Sequence, residues 1–375
     1  MIRYGCHQLK KPLNKANDWI AIGDSTVSVG RIQCFAVLGI RESTLSSMVN
    51  LTLSHRDVVV LGLYPTKKST GEFINKAFEE VEQRVGTISE IVIDQGSDMK
   101  KGARLFKNNH PDVIVLHDIS HKLSNLVEKE LKNDHLWSEY LKDLNFCKKR
   151  LCLTEFAALM PQKQREKARF MDIGHLVCWP ELIRKGRREG MLKNISEEQY
   201  QDYFSWIDRY ASPLNEWRYI EEVVDIIKGS VRKDGLSKEV YVSLKTFLEG
   251  SEIKNPRLQK FTENSLTTVW EEVVKLNNEE KLICSTEVLE SVFGKYKAIN
   301  EAIHGISSNV LGILTFIGEK KSEEEIIEAM ESCSVTKAVT YVKEIIGESI
   351  CSLRRKFFPF KRTKFDISEE HVFTT

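Results

Sequence analysis

Along the first 130 or so residues the spacing of hydrophobic and polar positions changes several times, and each change marks an element. Residues 19–40 read as a hairpin. The apolar run Trp19-Ile20-Ala21-Ile22-Gly23 leads into Asp24, Gly30 offers the turn, and the chain returns through an apolar, β-branched run to Ile40. A third such run, over Asp57–Tyr64, stops at Pro65. Ser69-Thr70-Gly71-Glu72 then opens a helical stretch with Phe73, Ile74, Ala77, Phe78, Val81 and Val85 on one side, and Gly86 ends it. Glu90–Asp94 is short and nearly all apolar, as a strand buried on both faces requires. Ser97 is the expected N-cap of a helix through Phe106, ended near Asn109-His110-Pro111. Val113–Leu116 is a further buried strand and His121–Leu131 a further amphipathic helix. The expected order is β-β-β-α-β-α-β-α.

From about 135 to 280 the two-residue period nearly vanishes. Helical patterns replace it at Leu136–Leu151, Glu197–Tyr210, Leu214–Ile227 and Leu236–Leu248, with joints expected at Lys228-Gly229-Ser230 and Gly250–Pro256. A helix from about Ser285 carries Glu287 and Glu290, and further helices fill 307–318 and 322–348. The tail from Arg354 is basic and aromatic.

No apolar run approaches the roughly 20 residues of a membrane helix, and the N-terminus lacks a signal-peptide core. The eight cysteines form no CxxC pair and sit inside apolar patterns, as reduced and mostly buried cytosolic thiols do. A net charge of +1 neither demands nor excludes nucleic acid.

The candidate chemistry lies in carboxylates at strand ends. Asp24 and Asp94 each close an apolar run, where an aspartate needs a cation or backbone N–H groups to offset desolvation. Either could instead be a turn residue bonded to the next backbone amides. Asp98 stands in the first turn of the following helix, where its charge suits the dipole. Glu287 and Glu290 are three apart and can share a helix face, Glu290 being favoured for the site and Glu287 for the helix start. His117, Asp118 and His121 cluster at the end of the last strand with no cysteine or third histidine to complete a zinc set.

These pieces resemble a known family. Asp18-Trp19-Ile20-Ala21-Ile22-Gly23-Asp24, Ile93-Asp94-Gln95-Gly96-Ser97-Asp98, Asp118-Ile119-Ser120-His121, Lys167–Ile173 and Ser285–Lys297 are similar to segments of bacterial insertion-sequence DDE transposases, and more distantly to the hAT superfamily. The resemblance covers roughly residues 1–350 and implies an RNase H-like α/β fold: a mixed five-stranded sheet with flanking helices, interrupted by a large all-helical insertion. It divides the chain into a first part of the core (1–134), the insertion (135–280), C-terminal core helices carrying the glutamate (281–350) and a basic tail (351–375).

It further implies that Asp24, Asp94 and Glu290 are the catalytic triad and hold two Mg2+ or Mn2+ ions, with Asp98, Asp118, His121 and Glu287 as accessory groups near the site. DNA, as transposon ends and target, is the expected partner. The cations expected to meet phosphates are Lys163, Arg165, Lys167, Arg169, Arg184, Lys185, Arg187 and Arg188, with Lys295 and Lys297 beside the glutamate. Phe170 and Trp179, interleaved with them, suit either a base or the helical core. Family members carry an N-terminal helix-turn-helix reader, for which there is no room before Trp19, so that DNA-binding module is expected to be missing, separately encoded, or lost from a decayed copy. A homo-oligomer and a cytoplasmic, nucleoid-associated location complete the expectation. The rival readings are an inactive remnant that only binds DNA and an RNase H-like nuclease without strand transfer.

Overall fold

The computed structural model describes residues 1–29, 32–162, 170, 172–192, 195–250, 253–277, 281–300, 310–346 and 350–358. Five strands form one mixed sheet in the order β3-β2-β1-β4-β5: β1 (Ala16–Val29), β2 (Ile32–Arg41), β3 (Val59–Thr66), β4 (Gly86–Ile93) and β5 (Ile114–His117). The first three strands pair antiparallel, whereas β1–β4 and β4–β5 are parallel. Together with the flanking helices this is the RNase H-like arrangement expected from the sequence. The hairpin turn assigned to Gly30 lies outside the described residues.

Both faces of the sheet are covered, and the alternation of side chains along each strand decides which residue meets which layer. On one side Trp19, Ala21, Phe35, Val37, Ile91 and Ile93 pack against α3 (Gly71–Val85) and α4 (Ser97–Asn109). On the other, Ile20, Ile22, Ala36, Leu38 and Val92 pack with Val288, Leu289, Val292 and Phe293 of α13 (Glu287–Asn300). Gly86, at φ 97°, ends α3 and starts β4, a left-handed position that favours glycine. Ser97 is the first helical residue of α4 rather than its cap: Gly96 occupies the cap position, and no side chain bonds the helix start. A short helix, α2 (Glu42–Leu45), follows β2.

The sequence pattern had not marked the helix α1 (Ile2–Lys10). It lies against a 3-10 segment, Val310–Phe316, so closely that a Cβ on Gly5 would stand 1.8 Å from the Leu311 carbonyl oxygen. Arg3 donates to the Met330 and Cys333 carbonyls, which ties α1 to the end of α14 (Glu323–Ser332). The helices α15 (Val335–Ile346) and α16 (Ile350–Phe357) follow, with Ala338 of α15 in the same core.

After α5 (Ile119–Leu131), the described elements up to α13 are helices, apart from an isolated Leu236–Leu282 bridge. They comprise α6 (His135–Leu151), α7 (Gly174–Val177), α8 (Trp179–Arg188), α9 (Glu197–Phe204), α10 (Ala211–Asp234), α11 (Lys238–Glu249) and α12 (Pro256–Val273), with 3-10 turns at Glu155–Leu159 and Ser205–Tyr210. Their core is aromatic, with Trp137, Tyr140, Tyr210 and Trp217 in mutual ring contact. The expected joint at 228–230 is absent. α10 runs through Gly229 because Ile227 and Val231 on either side are anchored in the core, and it stops at Gly235, φ 78°. Glu272 of α12 docks this layer on the sheet edge, accepting the His117 backbone N–H at the end of β5. No described helix is long and apolar enough to cross a membrane.

Candidate metal-binding carboxylate site

Asp24 is not at the end of its strand, since β1 continues past it to Val29, paired with β2 through a register shift after Thr26. It stands instead where the pairing with β4 ends, one residue beyond the Gly23–Ile93 partners, and Asp94 follows Ile93 on β4. The two aspartates therefore leave adjacent parallel strands at the same level. Counting by twos, Asp24 shares its face with Ile20 and Ile22, and Asp94 shares its face with Val92. That is the face covered by α13, which carries Glu290.

Local backbone groups fix both aspartates. One Asp24 oxygen accepts the Ser25 N–H at 2.6 Å, and Asp94 Oδ1 accepts the Gly96 N–H at 2.9 Å. At Gly96 the chain passes so near these groups that a Cβ would lie 3.0 Å from Asp94 Oδ1 and 2.9 Å from Asp98 Oδ1. Asp98, in the first turn of α4, is held by the Ser69 hydroxyl.

Glu290 comes to the site from α13. Its carboxylate meets His121 Nε2 at 3.0 Å, so α5 and α13 are joined next to the two aspartates. Asp118, expected as an accessory group, joins two helices beside the site. Fully buried, it caps α5 by accepting the His121 N–H at 3.0 Å, and its other oxygen accepts both the N–H (2.6 Å) and the hydroxyl (2.7 Å) of Thr286. Glu287 turns toward the helical layer, pairing with Arg232 of α10 at 3.1 Å, with the Ser120 hydroxyl at 3.5 Å. His117 faces away from the aspartates, toward Glu272 and Lys275. Thr286 and Arg232 were missed in the sequence, since their partners lie far along the chain.

Burial, then the charge of Asp94 and, more weakly, that of Glu290, push the Asp24 carboxyl up to about 8, against relief from His121 and the Ser25 N–H. Asp94 is raised too, chiefly by burial, with Asp98 and Asp118 adding to it. Burial opposes the charged form of His121, but its bond to Glu290 and the charges of Asp118, Glu290 and Asp94 outweigh this and raise it to about 9. Glu287 is raised by burial, offset by Arg232. At neutral pH the site is thus a set of crowded carboxyl groups, that of Asp24 largely protonated, beside one imidazolium. Oxygen donors whose ionised forms are costly without a neighbouring cation fit a hard divalent ion better than zinc.

Among the described residues, the group whose three donor atoms all lie within 4.8 Å of one another is elsewhere: Glu79, Glu82 and His110. There His110 Nε2 meets Glu79 at 3.2 Å and Nδ1 meets Glu82 at 3.0 Å, so both ring nitrogens already face carboxylates. Glu82 also accepts the Ile88 N–H, which places this group at the start of β4, the opposite end from Asp94. Asp24, Asp94 and Glu290 do not form such a group; what links them is His121, whose charge acts on both aspartates and whose ring meets Glu290.

Of the cations expected to meet DNA, Lys163, Arg165, Lys167 and Arg169 lie outside the described residues, as do the side chain of Lys297 and the tail from 359. Those on and around α8 face acids: Arg184 with Asp208 (2.8 Å), Lys185 with Glu189 (3.8 Å), Arg187 with Glu197, and Arg188 with Glu181 (2.7 Å). This is an ion-paired surface, not an open cationic patch. Lys295 lies 2.9 Å from His55. Trp179 is buried with its indole N–H on the Leu159 carbonyl, the second of the two roles open to it, and Phe170 packs against the same core.

No protein-family model matches the chain, and no curated protein matches it in sequence. Among solved structures it is similar to the Drosophila P element transposase strand transfer complex, at 11% identity and a TM-score of 0.36, over 89% of this chain and 79% of that one.

Proposed function

We propose that this chain is the catalytic core of a DNA transposase, with Asp24, Asp94 and Glu290 as its metal-holding carboxylates and two Mg2+ or Mn2+ ions as its cofactors. One observation carries the reading. A buried aspartate, Asp24, and a half-buried one, Asp94, leave adjacent parallel strands on the same face, and a glutamate more than 190 positions later in sequence is carried on a helix packed over that face. When bound, such ions supply Lewis acidity for an attacking water or 3′-hydroxyl and for the departing 3′-oxygen of a phosphodiester.

The chain's own groups prepare that chemistry. Asp24, raised by burial and by the charge of Asp94, and Asp94, raised by burial and by the charges of Asp98 and Asp118, would hold a divalent cation once ionised. His121 holds the Glu290 carboxylate in place and keeps a proton at Nε2. Asp98, kept by Ser69, adds negative potential beside Asp94. DNA would be the substrate, held by Lys163, Arg165, Lys167 and Arg169 and by Lys295 and Lys297, the cations at 184–188 being paired with acids. The finer expectations go with this reading: a member of the insertion-sequence group, acting as a homo-oligomer at the nucleoid with a separately encoded reader of element ends.

Labelled duplex DNA incubated with the protein and Mn2+ tests this. Wild type should cut the duplex and join 3′ ends to a second DNA, and Asp24→Asn, Asp94→Asn and Glu290→Gln should each abolish both. Cutting without joining would make the chain a nuclease. Neither reaction, on nicked or intact DNA, would refute the reading.

A further inference from the structure

Asp118, Thr286, His121 and Glu290 form one chain of contacts in which a single buried carboxylate fixes two helices at once. Asp118 is the N-cap of α5, and three residues along that helix stands His121. Thr286 precedes the first residue of α13, and four residues along stands Glu290. Asp118 Oδ2 holds Thr286 by both N–H (2.6 Å) and Oγ–H (2.7 Å), and the ends of the two short arms meet again at the His121–Glu290 contact of 3.0 Å. The loop is closed, so the height of Glu290 over the aspartates follows from the Asp118–Thr286 contact.

The backbone repeats the clasp. Ile119 N–H donates to the Cys284 carbonyl at 3.1 Å, and Cys284 Sγ lies 3.1 Å from the His117 carbonyl oxygen. Leu282 bonds in both directions with Leu236, from the helical layer. The segment that delivers α13 to the sheet is thereby stitched to α5 on one side and, on the other, to Leu236, two residues past the end of α10. Both Asp118 and Thr286 are wholly buried, so solvent cannot replace the lost partner if either is changed.

We infer that Thr286 and Asp118 are positioning residues that set the Glu290 carboxylate, with His121, at the height where it can share a cation with Asp24 and Asp94. This rests on the metal-site reading above. Neither residue touches the reacting atoms. Charge-assisted hydrogen bonds of this kind are the stronger class, and one of them is worth about a tenfold to a hundredfold change in an equilibrium.

Three variants of the full chain test it. Thr286→Val removes the hydroxyl donor and keeps the backbone bond, Thr286→Ser restores the hydroxyl, and Asp118→Asn sets an amide N–H₂ or a weaker neutral acceptor against the Thr286 donors. Mn2+ binding is measured by calorimetry at matched folded fraction, and amide hydrogen exchange is followed over 286–290. Thr286→Val is expected to weaken Mn2+ binding about tenfold and speed exchange in that turn, with Thr286→Ser close to wild type. Should Asp118→Asn fail to fold, the two Thr286 variants decide alone. Mn2+ binding and exchange in Thr286→Val equal to wild type would overturn the inference while leaving the metal site intact. Absence of Asp24-dependent Mn2+ binding in wild type would instead overturn the reading on which the inference rests.

Discussion

The helical layer is held to the edge of the sheet by a buried charge cluster, and Glu272→Gln should expose what that cluster contributes. Glu272, with 1% of its side chain exposed, accepts the His117 backbone N–H at 2.9 Å and pairs with Lys122 at 2.8 Å and Lys275 at 2.5 Å. Gln keeps the volume and an acceptor for His117. It leaves the Lys122 ammonium, 8% exposed, with only the outlying Glu271 at 2.8 Å and the Thr268 carbonyl at 3.4 Å. Removing one partner of a buried pair costs about 3–5 kcal/mol, and the remaining Glu271 contact should reduce this to about 2–4 kcal/mol.

Urea unfolding at pH 7 reads that loss as a shift in midpoint at unchanged slope. The pH dependence is a second check. Burial opposes ionisation of Glu272, but His117, Lys275 and Lys122 outweigh it and hold the carboxyl far below the ordinary range. Its stabilisation is therefore present above the unfolded carboxylate value and drains away as pH falls, so the gap between wild type and Glu272→Gln should narrow below about pH 5. Neutralising both partners, in Lys122→Met with Glu272→Gln, should recover most of the loss. A loss below about 1 kcal/mol at pH 7, or a gap that widens in acid, would refute the reasoning.

Other consequences are simpler to state. In EDTA, Asp24→Asn should become progressively more stable than wild type between pH 5 and 8 in urea unfolding: a carboxyl moved from 3.8 to about 8 stabilises the fold only while protonated, and loses that contribution as pH rises. Parallel midpoints for the two proteins across that range would contradict it. Gly5→Ala should lower the melting temperature, because the new Cβ would fall 1.8 Å from the Leu311 carbonyl oxygen and force α1 away from its 3-10 neighbour; an unchanged melting temperature would show that α1 adjusts freely. DNA binding by this chain should fall steeply with salt, as phosphate contacts do, and binding measured on several duplexes across a salt series checks it. Affinity that does not change with salt would contradict it.

The sheet was legible because its signals are local. Runs such as Ile91-Val92-Ile93 and the helical spacing of Phe73 to Val85 state their own period, and Asp24 and Asp94 stood out as charges ending them. What stayed hidden depends on distant partners. α1 is a short helix settled by Leu311, some 300 positions away, and nothing within its own residues announces that contact. Thr286 looks like an ordinary residue before a helix until Asp118 is seen beneath it. The basic run at 184–188 looked like a phosphate-binding face because its acids, Glu197 and Asp208, belong to later elements. Gly229 looked like a joint because helix propensity was weighed without the core contacts of Ile227 and Val231.

The central claim is that Asp24, Asp94 and Glu290 form the metal site, and the most direct test is anomalous scattering from crystals of the full chain soaked in Mn2+. Manganese peaks are expected bounded by the carboxylates of Asp24 and Asp94, with Glu290, held by His121, beside them, and those peaks should be lost in Asp24→Asn. Manganese bound only at Glu79, Glu82 and His110, or no peak near Asp24 at saturating Mn2+, would contradict it.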